Sequence, residues 1–179
     1  MARRRVQLVL LCEDGQHEAF MRRVFVALGW DSRGIRVEKS PKGRGSAEQW
    51  VRARYADEVR KLRASAVTRA LVVAIDEDVQ GEGRREAQLA EALVEAGSTP
   101  RRDDEPVLHA IPARNIETWI AYCDGHDVDA RTVYARLVRE RDCGPGAVAL
   151  GRMCRERRLR EPAPPSLQRA CAELRSRLG

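Results

Sequence analysis

Acidic residues follow several apolar segments of this chain, and their types and spacing suit metal-dependent chemistry. The acids are Glu13 and Asp14 with Glu18 one helical turn later, the run Asp76, Glu77 and Asp78, and Glu117. Carboxylates that meet without a cation repel one another, whereas a divalent cation would hold them together. Ligand sets made only of oxygen favour Mg²⁺ or Mn²⁺ over zinc. The acids therefore predict a divalent-metal site, provided that the fold brings them together.

The elements that must position these acids alternate between apolar runs and amphipathic stretches. Strands are predicted at 6–12, 35–38, 70–75 and 106–111. Helices are predicted at 15–28, from Ser46 as N-cap to about 64, and at 82–95, 116–122, 130–140, 146–158 and 166–178. Strand–helix alternation predicts an α/β fold, with a four-stranded, mainly parallel sheet flanked by helices and a C-terminal helical extension. We assign residues 1–122 to the α/β domain and 123–179 to the extension packed on it.

The acids are predicted at the carboxyl ends of the strands, the edge at which open parallel sheets bind ligands. Neighbouring strands lie ~4.8 Å apart, so the first and third strands could share one ion if they are neighbours. The alternative is that each acid is a helix N-cap, since Asp14 and Asp78 both precede predicted helices. A cap does not account for Glu13 beside Asp14, or for three acids in a row.

The order of these motifs resembles the Toprim domain, found in topoisomerases, primases and OLD-type nucleases. The matches are Glu13-Asp14-Gly15-x-x-Glu18 after the first strand and Asp76-Glu77-Asp78 after the third. The segment 112–119 is also similar to a motif of small Toprim-like proteins thought to accompany ATPases in bacterial anti-phage systems. The resemblance covers roughly residues 5–120. It departs from the family at Glu13-Asp14, where the family has glutamate followed directly by glycine, so either acid could be the active one.

The resemblance implies metal-dependent phosphodiester cleavage by a nuclease that works with a separate ATPase subunit. Catalysis would then use Glu13 or Asp14 together with Asp76 and Asp78. The metal ligands would be Glu13, Asp76, Asp78 and Glu117, with Mg²⁺ or Mn²⁺ as cofactor, as one ion or two. Glu77 alternates with the two aspartates and is expected to point away from the site.

Cationic and histidine side chains near the acids are candidates for substrate contact. Lys42 and Arg44 lie in a glycine-containing loop before a helix, where free N–H groups bind anions, and Arg114 follows the fourth strand. The alternative for the loop is an ordinary exposed turn. Glu18 and His17 are accessory candidates. The helical position of His17 predicts a surface side chain, with a role as acid or base as the alternative.

The composition of the chain indicates in which cellular compartment it works and which kinds of partner it contacts. The net charge is +6, and almost all of the basic residues are arginines, which suit phosphate contact, although a solvated basic surface explains them equally well. Five scattered cysteines argue against a disulfide framework and a zinc ribbon, and the absence of a long apolar run argues against membrane association. We therefore expect a cytoplasmic protein that contacts DNA or RNA, with the oligomeric state open and a homodimer among the options.

Two function classes remain open at this stage. The first is the Toprim-like nuclease, as effector of an ATPase-coupled anti-phage system. The second is a non-catalytic Toprim-like subunit that binds nucleic acid or a partner protein. Phosphatases and receiver domains that use strand-end aspartates fit less well, because the aspartates here follow the third strand and no lysine follows Lys61.

Overall fold

The computed structural model describes residues 7–43, 45–78 and 81–179. The strands are β1 Gln7–Cys12, β2 Ile35–Lys39, β3 Arg69–Ala74 and β4 Val107–Ala110. The α-helices in the described residues are α1 Gly15–Ala27, α2 Ala47–Ala64, α3 Arg84–Glu95, α4 Ile116–Cys123, α5 Gly144–Glu156 and α6 Pro165–Leu178. The predicted α/β class is confirmed: helices flank a four-stranded sheet whose neighbouring strands are all parallel.

The sheet order is β2-β1-β3-β4, so the first and third strands are neighbours. Their register pairs Cys12 with Ala74, which places the residues after β1 and after β3 at one edge of the sheet. The chain leaves β1 toward β2 on one side and returns through α2 to β3 on the other. The strand order therefore reverses between β1 and β3, and such a reversal opens a crevice at the carboxyl ends of the strands.

Two hydrophobic clusters cover the two faces of the sheet. Alternate residues of β1 point to opposite faces, as Leu8 and Leu10 join one cluster while Val9 and Leu11 join the other. The first cluster contains side chains of α1, α4, α5 and α6, and the second contains those of α2 and α3. The C-terminal helices thus belong to the same core as the first face of the sheet.

Helix α1 illustrates how local sequence sets the bounds of an element. Asp14 is its N-cap and accepts backbone N–H bonds from Gln16 at 2.9 Å and His17 at 3.0 Å. The helix stops before Gly29, whose φ of 99° is accessible to glycine at little cost. A carboxylate at this cap also interacts favourably with the positive end of the helix dipole. The first acidic motif therefore shapes the backbone as well as the site.

The prediction of a helix over 130–140 was wrong. The segment from 126 to 139 has no regular secondary structure, and a short 3-10 turn follows at Glu140–Cys143. Asp129 starts a helix-like turn by accepting bonds from the backbone of Arg131 and Thr132, both at 2.7 Å. Thr132 and Val133 then follow, and β-branched residues favour helix less because their χ1 freedom is restricted. The loop instead extends across the sheet edge toward the acids.

The cysteines also differ from the expectation. Cys154 in α5 and Cys171 in α6 form a disulfide, a pairing that their spacing did not indicate. Cys12, Cys123 and Cys143 are free thiols. Among the helices of the described residues, none combines the length and the apolar content needed to cross a membrane.

Candidate metal centre

The site lies at the crevice where the strand order reverses. Glu13 follows β1, Asp76 follows β3, and His17 belongs to the first turn of α1. One ligand atom from each of these three side chains lies within 4.8 Å of the others, so they could bind a single ion. Two carboxylate oxygens and one imidazole nitrogen form a set that suits Mn²⁺ better than Mg²⁺, which takes oxygen ligands almost exclusively.

His17 occupies the centre of the site, and its predicted surface position was wrong, since its exposed fraction is 1%. Its Nδ1 lies 2.8 Å from Oδ1 of Asp14, and its Nε2 lies 2.9 Å from Oδ1 of Asp76. The ring thus bridges the acids that follow two neighbouring strands. Since Asp14 caps the helix on which His17 lies, the aspartate fixes both the backbone and the ring. The sequence did contain one sign of this contact: an aspartate at a helix start is followed three residues later by a histidine, a spacing that brings the two side chains together.

The charges of the site shift the pKa values of its members in opposite directions. Burial and the charge of Asp76 raise the pKa of Glu13 to about 7. Burial alone would raise the pKa of Asp14, but hydrogen bonds from His17 and the charges of His17 and Arg136 hold it well below its ordinary value. Burial alone would lower the pKa of His17, but Asp76 and Asp14 outweigh it and raise it well above the ordinary value. The two carboxylates therefore favour the cationic form of the buried ring.

Glu117 approaches the same site from α4. It is almost fully buried, and both its burial and the charge of Asp76 raise its pKa. Glu117 is not part of the three-residue group that could bind one ion. Its electrostatic coupling to Asp76 and His17 shows that it lies near that group.

Arg136, in the loop that follows α4, supplies a further cation that the sequence did not indicate. Its Nη1 lies 2.7 Å from Oδ2 of Asp14, and its Nη2 lies 3.0 Å from Oε1 of Glu140. This contact joins positions far apart in the chain, so no local pattern could reveal it. Arg136 holds the loop over the acids and partly neutralises them.

The remaining predicted acids lie beside the site. Asp78 is exposed, with φ of 69°, and borders a cavity of about 540 Å³ that Arg114 also lines. Glu77 is buried and accepts the backbone N–H of Arg85 at the start of α3, at 3.0 Å. Glu18 pairs with Lys39 of β2 at 2.6 Å. Asp78 and Glu18 thus lie outside the three-residue group.

Only part of the predicted phosphate-binding loop lies within the described residues. Lys42 is exposed, Arg44 lies outside the described residues, and Ser46 caps α2 without a side-chain hydrogen bond. Arg114 is half-buried near Asp78 and remains the cation nearest in sequence to the carboxyl end of β4.

A second buried polar cluster is structural. His109 of β4 contacts the Glu86 carboxylate at 2.8 Å and the Tyr55 hydroxyl at 3.0 Å. Arg101 pairs with Glu86 at 2.9 Å, so the cluster connects β4, α2 and α3 and satisfies its own polar groups.

The fold and the site together define an α/β protein with a candidate divalent-metal centre at the crevice of a parallel sheet. Comparison with protein-family models, with curated proteins and with solved structures gave no match. The residues of the site and the order of the acidic motifs are therefore the features that bear on function.

Proposed function

We propose that this chain is a divalent-metal-dependent nuclease of Toprim type, the effector of an ATPase-coupled anti-phage system. The observation that carries the proposal is the convergence of Glu13, His17 and Asp76 at the crevice between β1 and β3. The order of the acidic motifs along the chain, which resembles Toprim proteins, supports the same class. The net charge of +6 is compatible with a nucleic-acid substrate.

The donor set suits Mn²⁺, or Mg²⁺ if Glu117 completes an oxygen-rich shell. Glu13 and Asp76 would bind the ion through oxygen, and Nε2 of His17 through nitrogen. Asp14, bonded to Nδ1, would orient the ring, as second carboxylates commonly do for metal-bound histidines. A bound divalent ion lowers the pKa of water and polarises a phosphoryl oxygen, which is what phosphodiester hydrolysis requires.

The residues of the chain itself have separable tasks in this proposal. Without an ion, burial and the charge of Asp76 raise the pKa of Glu13 to about 7, so Glu13 would also give up its remaining proton when it binds the ion. Arg114 borders the cavity next to Asp78 and would contact a substrate phosphate. His17 must lose a proton before Nε2 can bind an ion, so metal binding releases protons.

A second candidate function is a non-catalytic subunit that binds nucleic acid or a partner, and one observation favours it. His17 bridges Asp14 and Asp76, and Arg136 pairs with Asp14, so the acids already have cationic partners from the chain. A site neutralised in this way holds together without an ion and does not need one for stability.

The test is cleavage of labelled single- and double-stranded DNA and RNA by the purified chain in Mn²⁺, in Mg²⁺ or in chelator. The ATPase encoded next to its gene, if there is one, is added in parallel. We expect Mn²⁺-dependent cleavage, and a loss of at least ~100-fold in Asp76→Asn and Glu13→Gln. Glu18→Gln is the matched control, because Glu18 pairs with Lys39 outside the three-residue group.

Metal binding is measured separately by calorimetry in two buffers of different ionisation enthalpy, which reports the protons that His17 and Glu13 together release. Metal binding without cleavage of any substrate, with or without the ATPase, would support the non-catalytic function. Absence of both binding and cleavage would contradict the metal centre itself.

A further inference from the structure

A groove between α1 and α5 combines an apolar floor with a basic rim. It has a volume of about 840 Å³, and its main lining residues are Arg22, Arg23, Val26, Val148, Arg152 and Arg155. Arg22 lies five residues after His17, roughly 7 Å further along α1, so the groove extends away from the metal centre. Both valines are exposed to solvent, with exposed fractions of 43% for Val26 and 58% for Val148.

The positive charges of the four arginines in this groove are free to interact with another molecule. Glu156 is the acid among the groove's lining residues. Within the described residues none of the four arginines forms an ion pair; Arg22, Arg23 and Arg155 donate instead to backbone carbonyls. By contrast, Arg101 pairs with both Glu86 and Glu173. The arginine groove is therefore a net positive surface with an apolar strip along its centre.

The exposed face of α3 has the complementary character. Ala87, Ala90 and Val94 are exposed at a spacing that aligns them in one stripe along the helix. Glu91 and Glu95 border that stripe and are exposed, and neither forms an ion pair within the described ranges of the chain. Val94 has an exposed fraction of 62%. The buried apolar residues of this helix, Leu89 and Leu93, pack on the face of the sheet opposite to α1 and α5.

We infer that the arginine groove binds the exposed face of α3 of a second copy of this chain. An amphipathic helix in a groove between two helices is a common recognition mode, with apolar anchors in the floor and charges at the rim. Val94 would lie against Val26 and Val148, while Glu91 and Glu95 would face the arginines. A nucleic-acid backbone would satisfy the arginines but would leave the two valines without an apolar partner, so the helix fits the whole groove better.

The two surfaces lie on opposite faces of the sheet, so the contact is head-to-tail and each copy keeps one free groove and one free α3. Such contacts close into rings or extend as filaments. A single helix in a groove buries less than the ~1,200–2,000 Å² of stable interfaces. The association is therefore weak, forms at high protein concentration, and weakens as salt screens the charges. It is independent of the nuclease proposal.

Charge reversal tests the pairing in sedimentation-velocity experiments with the full chain at low salt. We expect the wild type to self-associate with rising concentration. Arg152→Glu with Arg155→Glu, and separately Glu91→Arg with Glu95→Arg, weaken association at least ~10-fold, because like charges then face each other. An equimolar mixture of the two variants recovers it, since each reversed surface then meets its complement. Arg157→Glu with Arg158→Glu, exposed just beyond α5, is the matched control and associates like the wild type.

Circular dichroism confirms that each variant folds, and recovery in the mixture itself requires two folded proteins. A wild type that stays monomeric at several hundred micromolar overturns the inference. So does association that neither reversal weakens, or a mixture that does not recover. If Arg152→Glu with Arg155→Glu leaves self-association unchanged but abolishes binding of a labelled oligonucleotide, the occupant is nucleic acid and the inference is wrong.

Discussion

Substitution of Glu13 by glutamine should stabilise the protein in a pH-dependent way. The substitution keeps the shape of the side chain and removes its ionisation. Burial and the charge of Asp76 raise the pKa of Glu13 from 4.5 to about 7 in the folded protein. At ~1.36 kcal/mol for each pKa unit, ionising Glu13 in the folded state costs ~3 kcal/mol of stability.

The direction of this pH dependence follows from the protonation of Glu13 in the folded and in the unfolded chain. Below pH 4.5 the carboxyl is protonated in both the folded and the unfolded chain, so it costs nothing. As the pH rises from 4.5 to about 7, the unfolded chain ionises first and the cost develops, and above about 7 it stays constant. We therefore expect Glu13→Gln to exceed the wild type by under ~1 kcal/mol at pH 5 and by ~3 kcal/mol at pH 8.

Urea unfolding followed by tryptophan fluorescence, in chelator at pH 5 and pH 8, measures this difference. Glu18→Gln, the same chemical change in an ion pair with Lys39, should stay within ~0.5 kcal/mol of the wild type at both pH values. Mn²⁺ at 100 times its Kd should stabilise the wild type by ~2.7 kcal/mol and the Glu13→Gln variant by less. A stability gain that is equal at pH 5 and pH 8, or a loss at pH 8, would refute the electrostatic account of the site.

Two further substitutions probe the loop and the helix packing. Arg136→Ala should raise the affinity for Mn²⁺ in calorimetry, because the guanidinium beside Asp14 opposes a second cation; since Arg136 is 52% exposed, stability should change by under ~1 kcal/mol. Unchanged or weaker Mn²⁺ binding would count against that competition. Gly151→Ala should destabilise by ~1–3 kcal/mol in urea unfolding, because its Cβ would lie 2.7 Å from Cβ of Ala27. Val148→Ala, at an exposed position of the same helix, is its control, and equal effects of the two would contradict tight packing there.

The sequence was informative where one local rule dominated. The run 70–75 is apolar throughout, which is typical of a strand covered on both faces, and β3 ends at Ala74 with Asp76 just beyond it. Gly29 and Gly97 mark the ends of α1 and α3, since both have positive φ. The acids after β1 and β3 could be assigned to one sheet edge because parallel strands end together.

The sequence was uninformative where distant parts of the chain compete with local preference. The spacing of apolar residues over 130–140 predicted a helix, but Arg136 contacts Asp14 across the fold and the segment up to 139 has no regular secondary structure. His17 is polar at a helix start, so a surface position was the default. Its burial depends on contacts with the carboxylates of Asp14 and Asp76. Asp76 lies close to His17 only because β1 and β3 are neighbours in the sheet.

That strand order also governs when the site can exist during folding. β1 pairs with β3, although β2 and two helices lie between them in the chain. Such non-local contacts form late because closing a long loop costs conformational entropy first. The repulsion of Asp76 by Glu13 and Asp14 is therefore weak in the unfolded chain, where Asp76 is solvated and far from the other two acids. It becomes strong only once the sheet is assembled, when the packed core can hold the carboxylates together and His17 has moved in between them.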